Sequence, residues 1–362
     1  MADAEPFPLL LLGAGASRPA GVPTALEMTR KMMEMCEADD QRDYLRALNA
    51  LAGGLQMGVG QSEFTTSGDA DVEQVLNAAS LLGDRFDLEF APFVAAWHPI
   101  IEELERRKFG SWEAQRIVRR AMSGLSLDRI PRSARPEEAI RTAVEGTLQI
   151  AIMGIGDYLS LRPDGALFRG LMTYLTGKLV ELTWLRSPEK LAYLDPLLTA
   201  ARDTPITVAT LNYDNGIELR ASSLAVPCET GIDVWSETGS FRRAPTGIDL
   251  MKLHGSVKWW WSMRNEEDPI GLRYREFIEV DDAYMEQITK QDFRMEILGQ
   301  QLGAIFGGRN KLTAEGPFLD LLIKFKKVLD EHWRLLVIGY SFRDAHVNQC
   351  IVRWLGTDAS AV

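Results

Sequence analysis

Leu9-Leu10-Leu11-Leu12-Gly13-Ala14-Gly15-Ala16-Ser17 is the stretch that decides the fold. Four successive leucines leave no polar face, so a strand made of them is buried on both sides, as in a parallel sheet covered by helices. The run breaks at Gly13 and Gly15, which read as a turn directly after the strand. Glycines at such a turn let a backbone approach a pyrophosphate, and successive N–H groups can cradle its oxygens. Beyond it, Pro19, Gly21 and Pro23 keep the chain irregular as far as Thr24. Thr24 can N-cap a helix, with Glu27 at the third position completing a capping-box pattern. Upstream, Met1-Ala2-Asp3-Ala4-Glu5 is acidic where a signal peptide needs positive charge, and the leucine run is too short for a membrane span. The expectation is a soluble, cytoplasmic protein with no membrane contact.

From residue 24 to about residue 202 the pattern is helical, with apolar spacings of three and four near 24–37, 40–52, 71–83, 88–108, 136–160, 165–185 and 188–201. The glycine- and serine-rich stretch 53–69 reads as a surface loop. After residue 204 the grammar changes. Pro205-Ile206-Thr207-Val208-Ala209-Thr210-Leu211 is β-branched and continuous, as for a strand buried on both faces. Asp249–Leu253, Val257–Trp261, Gly303–Phe306 and Arg334–Ile338 are further strand candidates, and Phe318–Leu329 has helical periodicity before the last of them. Strand–helix–strand alternation implies a parallel sheet with helices on both faces. The predicted architecture is α/β: a Rossmann-like nucleotide-binding domain from 1–35 and 205–362, interrupted by an all-helical insertion, 36–204.

Composition narrows the function classes. The chain has 362 residues, 46% hydrophobic and 25% charged, with formal charge −11, which argues against direct nucleic-acid binding as its main task. The local run Arg116, Arg119, Arg120, Arg129, Arg132, Arg135 and Arg141 reads as a solvated face of two helices and their linker, or as a surface that meets an acidic partner. Cys36, Cys228 and Cys350 are the only cysteines, far apart and without a CxxC pair. They provide neither a four-cysteine zinc site nor a disulfide framework. No phosphate-binding GxxxxGK[ST] loop occurs.

Four segments at predicted strand ends carry the chemistry, the place where ligands bind in open parallel sheets. The first is the glycine turn with its trailing Gly21-Val22-Pro23. The second is Thr210-Leu211-Asn212-Tyr213-Asp214, whose Asn and Asp by themselves are turn formers. The third is Lys252-Leu253-His254-Gly255-Ser256, with a histidine whose ordinary pKa near 6.5 suits a general base at neutral pH. The fourth is Gly339-Tyr340-Ser341-Phe342-Arg343-Asp344.

In this order the four segments resemble the sirtuin motifs GAGIS-xxx-GIP, TQNID, LHGS and GTS. The resemblance implies NAD as the substrate. It gives Asn212 a place beside C1′ of the nicotinamide ribose and His254 the role of general base. It assigns NAD contacts to Gly13, Ala14, Gly15, Ser17 and Pro23, to Thr210 and Asp214, and to Gly339 and Ser341. Gly303-Ala304-Ile305-Phe306-Gly307-Gly308 is similar to the family's IVFFGE strand without its acidic residue. The helical segment, the Tyr of Asn212-Tyr213-Asp214, the Tyr-Ser-Phe-Arg-Asp ending and the helix start Asp71-Val72-Glu73 resemble bacterial sirtuin-like defence proteins.

The zinc module of the deacylase sirtuins has no counterpart here, and Thr24-Ala25-Leu26 stands where they carry the Asp-Phe-Arg that shields the cleaved ribose from water. Water is therefore the expected nucleophile, and nicotinamide and ADP-ribose the expected products. A protein deacylase and a non-catalytic nucleotide sensor are the rival readings. The resemblance further implies gating of a toxic anti-phage effector by a separate partner, such as a translocase-type ATPase or an Argonaute-type protein, or by assembly. A homo-oligomer is expected, with the helical insertion as its regulatory and assembly part.

Overall fold

The computed structural model describes residues 7–62, 70–87, 89, 99–105, 118–119, 136–160, 165–263, 275–290, 301–304 and 316–357. Five strands, β1 (Leu9–Leu12), β2 (Ile206–Thr210), β3 (Cys228–Glu229), β4 (Ile248–Lys252) and β8 (Leu335–Ile338), form one sheet in the order β3-β4-β2-β1-β8. Every pairing in it is parallel, so the sheet is Rossmann-like. Three more, β5 (Gly255–Met263), β6 (Arg275–Glu279) and β7 (Gln301–Ala304), make a second sheet in the order β6-β5-β7.

The helices are α1 (Ala25–Ala38), α2 (Arg42–Ser62), α3 (Val72–Gly83), α4 (Pro99–Glu105), α5 (Pro136–Ser160), α6 (Ala166–Thr183), α7 (Asp195–Ala200), α8 (Gly216–Ser223), α9 (Ile232–Thr238), α10 (Asp282–Lys290), α11 (Phe318–Glu331) and α12 (Ala345–Thr357). By contacts the chain divides into two compact units, one of residues 1–80 and 171–362 and one of residues 81–170. Both divisions fall inside the segment 36–204 that the sequence sets apart as helical.

The leucine run behaves as its composition demands. Leu9 and Leu11 point into one core with Ala209, Met251, Leu321, Phe325, Val347 and Ile351, which brings α11 and α12 onto that face. Leu10 and Leu12 point into the other, with Val208, Leu250, Leu198 and Ile217, beneath α7 and α8. Each leucine is at most 2% exposed, and burying one contributes about 1.5–3 kcal/mol. The capping box forms as read: Thr24 N and Thr24 Oγ1 both donate to Glu27 Oε2 at 2.9 Å. The backbone donor holds the Glu27 carboxyl below its usual range.

Two expectations are corrected. The loop expected at 53–69 is helical as far as Ser62, because α2 runs through Gly53 and Gly54. A glycine in a helix interior costs about 1 kcal/mol, and Leu48, Leu51 and Ala52, buried on the same helix, offset that. Residues 63–69 lie outside the described residues. The candidate strands Val257–Trp261 and Gly303–Phe306 do not join the parallel sheet. They form the antiparallel pair β5–β7, with Trp260 opposite Leu302. Gly303 belongs there because a Cβ at that position would lie 2.2 Å from the Phe277 ring. That ring meets Trp261 edge-on at 4.7 Å and Trp259 at 5.8 Å, a geometry aromatic pairs favour. Residues 305–308, most of the expected helix 88–108 including Phe90–Trp97, and the arginine run apart from Arg119 and Arg141 lie outside the described residues. Among the described residues no helix is long and apolar enough to cross a membrane.

Candidate active site

Register brings the four motifs to one edge. Leu12 pairs with Thr210 and with Ile338, and Thr210 pairs with Lys252. The residues following these positions therefore leave the sheet together, at the carboxyl ends of four adjacent strands. Gly13–Ser17 follows β1, Leu211–Asp214 follows β2, Leu253–Ser256 follows β4 and Gly339–Asp344 follows β8.

The glycines serve first to seat one loop on another. A Cβ on Gly13 would lie 2.6 Å from Gly339 O, and one on Gly15 2.8 Å from Gly339 Cα. Gly339 itself has φ +66°, and a Cβ there would lie 2.2 Å from Ala16 N. Backbone bonds close the seat, from Gly13 N to Ile338 O and from Gly15 N to Gly339 O, each 2.9 Å. Ala16 N and Ser17 N donate to Gly13 O and Ala14 O. The expected cradle of successive N–H groups is thus largely used within the protein in this conformation, with the Ala14 N–H outside these bonds. Tyr193 donates to Ala16 O at 2.7 Å. Burial pushes its phenol up to about 12, so it stays a donor at neutral pH.

Asn212 is tied to the same loop. Its Nδ2 donates to Gly13 O at 3.0 Å and to Ser17 Oγ at 2.9 Å, and its backbone N donates to Thr210 Oγ1 at 3.1 Å. Asp214 is buried behind it, with Oδ1 accepting from Gly216 N at 2.9 Å. Lys252, 1% exposed, donates to the Asp214 carbonyl at 2.5 Å and to Glu218 Oε1 at 2.7 Å. A void of about 10 Å³ lined by Ser17, Thr210, Asn212, Asp214 and Lys252 lies among these groups. It is no larger than a single water needs. A larger cleft of about 300 Å³ runs beside Arg18, Val22, Pro23, Arg30 and Lys31. Pro23 is buried at its wall, whereas Gly339 and Ser341 are exposed.

Burial pushes the Asp214 carboxyl above its usual 3.8, opposed by Lys252 and Ser17. The fold therefore favours the neutral form. The stability this contributes is full below pH 3.8 and is lost as pH rises through the raised folded value. Asp214→Asn keeps an acceptor for Gly216 N and has no charge to bury. Thermal melts from pH 3.8 up to neutrality should show a smaller decline for the variant than for the wild type. Parallel curves would contradict the assignment.

His254 is 5% exposed and sits between two carboxylates. Its Nε2 lies 2.6 Å from Asp344 Oδ2, and its Nδ1 lies 3.4 Å from Glu73 Oε1. Tyr213 OH donates to that same Glu73 oxygen at 2.8 Å, and its ring centroid stands 6.2 Å from that of His254. Burial, with Glu73 adding to it, raises the Tyr213 phenol well above its usual value. Glu73 enters from the first turn of α3, where Asp71 Oδ1 accepts its backbone N–H at 2.8 Å.

The structure thus joins Gly13, Gly15, Ser17, Thr210, Asn212 and Gly339 through hydrogen bonds, with Asp214 beside them on Gly216 N and Lys252. It gives His254 neighbours that no spacing in the sequence indicates. In the sequence Asp344 and Glu73 stand only within the Tyr-Ser-Phe-Arg-Asp ending and the Asp-Val-Glu helix start, neither of which points to a histidine. Among the described residues no group of three or more His, Cys, Asp or Glu side chains is placed to hold a metal ion.

A family model described as the SIR2-like domain matches residues 206–360, the segment holding three of the four motifs. No curated protein matches the chain.

Proposed function

We propose, from the match of residues 206–360 to the SIR2-like domain, that this chain is a sirtuin-like NAD⁺ glycohydrolase of the cytoplasm. SIR2-like domains are generally NAD-dependent enzymes. The observation that carries the finer reading is the convergence of Asn212, His254 and the glycine turn at the ends of adjacent strands. In the reaction the bond from nicotinamide N1 to C1′ breaks with its electron pair leaving on nitrogen. Nicotinamide departs neutral and C1′ gains oxocarbenium character. Water oxygen bonds to C1′ and its proton passes to His254, which later releases it to solvent. Asn212, held by Gly13 O and Ser17 Oγ, fixes the wall against which the ribose lies. Thr24-Ala25-Leu26 supplies no aromatic shield over C1′, which favours water over an acyl-lysine oxygen.

The test is chromatography of NAD⁺ incubated with purified protein, alongside the Asn212→Ala variant. Equimolar nicotinamide and ADP-ribose from the wild type and loss of both from the variant are expected. Turnover that needs an acyl-lysine peptide would favour the deacylase, and binding without turnover a nucleotide sensor.

The resemblance to bacterial sirtuin-like defence proteins supports a role as an anti-phage effector, gated by a partner or by assembly. On α5, Ile140, Val144, Leu148 and Ile152 recur every four residues and are 62%, 48%, 55% and 66% exposed. Residues four apart share one helix face, and an exposed apolar stripe of this kind supports self-association. Light scattering should show an assembly larger than a monomer that Leu148→Glu shifts toward monomer. A wild type that is monomeric at all concentrations would remove this part of the proposal.

A further inference from the structure

We propose that Asp344 is a positioning residue that holds a proton on Nε2 of His254, making Nδ1, the nitrogen that faces Glu73, the working base. The reaction this base serves rests on the NAD⁺-cleaving reading; the Asp344–His254 couple itself does not.

The geometry is asymmetric. Two carboxylates flank the ring, and a carboxylate accepts but does not donate. A neutral imidazole has one N–H, and the Nε2 contact at 2.6 Å is far shorter than the Nδ1 contact at 3.4 Å. The proton therefore belongs on Nε2. Asp344 cannot swing away, because its Oδ1 accepts from His346 N at 2.9 Å and Val347 N at 3.2 Å at the start of α12. That leaves Oδ2 aimed at His254. Asp344 is 8% exposed, so water competes little for this bond.

The loop that delivers Asp344 is built for the purpose. β8 is separated from β4 in the sheet by β1 and β2, yet the loop after β8 reaches the histidine after β4. Phe342 holds a left-handed φ of +56°, which for a bulky residue is strained and persists only where its surroundings enforce it. Asn348 enforces it, donating to Phe342 O at 2.7 Å and accepting from Tyr340 OH at 2.8 Å. On the opposite side, Tyr213 OH and the Asp71 cap fix Glu73. When Nδ1 takes the proton of the attacking water, the imidazolium formed lies between two carboxylates that stabilise it. An orienting carboxylate of this kind sets the tautomer of the base and need not itself be protonated.

The test labels the ring nitrogens of the four histidines, His98, His254, His332 and His346, with ¹⁵N. The His254 signals are assigned by their loss in His254→Ala, and spectra are recorded where the ring is neutral. The wild type should show a protonated Nε2. In Asp344→Asn the side-chain oxygen still serves the two α12 amides, so its NH₂ faces Nε2 and the ring proton moves to Nδ1. NAD⁺ cleavage should fall by roughly 10²–10⁴-fold with NAD⁺ affinity retained, and the same substitution should change nothing further in His254→Ala. An Nδ1–H tautomer in the wild type, a tautomer unmoved by Asp344→Asn, or an additional loss in His254→Ala would overturn the proposal. A wild type that does not cleave NAD⁺ sinks the hydrolase reading instead, and the nitrogen spectra still decide the couple.

Discussion

Purified protein carrying His254→Ala is expected to fold and to cleave NAD⁺ roughly 10²–10⁴-fold more slowly than the wild type, the usual effect of removing a general base. The fold should survive because the groups left facing the vacated space keep other partners. Asp344 retains the His346 and Val347 amides, and the Glu73 carboxylate retains Tyr213 OH. Asn212→Ala should lose activity on a similar scale for another reason. It removes the bonds to Gly13 O and Ser17 Oγ, so the glycine turn loses its tie to β2 as the ribose loses its wall. Initial rates at saturating NAD⁺, with melting curves as the folding control, measure both. Rates within a few-fold of the wild type in folded variants would remove His254 and Asn212 from the site.

The largest effect on stability is expected at Lys252. Its side chain is 1% exposed, and its ammonium bonds the Asp214 carbonyl and Glu218 Oε1. Lys252→Met fills much of the same volume but strands a carboxylate whose second oxygen, Glu218 Oε2, is already buried without a hydrogen bond. Breaking a buried pair from one side costs about 3–5 kcal/mol, whereas replacing both partners by apolar groups is often neutral. Lys252→Met should therefore unfold at markedly lower denaturant, and Lys252→Met with Glu218→Leu should recover most of the loss. A single variant within about 1 kcal/mol of the wild type, or a double variant no better than the single, would show that the pair contributes little. The turn Asn212–Asp214 hangs from this lysine through the Asp214 carbonyl, so the single variant should also weaken NAD⁺ binding.

Much of this site was legible before any fold was known, because the deciding features are local. Leu9–Leu12 and Ile206–Thr210 are continuous apolar or β-branched runs, so buried strands follow from composition, and the strand–helix–strand alternation points to a parallel sheet. Strand ends in such a sheet are where ligands gather, which singled out the four motif segments, and the resemblance supplied the roles of Asn212 and His254. The capping box at Thr24 and Glu27 spans three residues and needs no tertiary partner.

What the chain could not announce is every relation that depends on which strands become neighbours. Gly15 reads as room for a pyrophosphate, but its nearest obstacle is the backbone of Gly339, more than three hundred residues away. The candidate strands Val257–Trp261 and Gly303–Phe306 carry the same apolar signal as the parallel strands, and only pairing against β6 and packing around Phe277 made their sheet antiparallel. The sharpest case is the histidine. The resemblance gave it the role of a base, yet the surroundings of its two ring nitrogens depend on Asp344 and Glu73, which lie 90 positions after it and 181 before it. Sequence determined which side chains stand at the strand ends, since side-chain type and strand propensity act over a few residues. Tertiary structure alone decided how those side chains are oriented, since a hydrogen bond is selected by distances of a few ångström that chain separation does not encode.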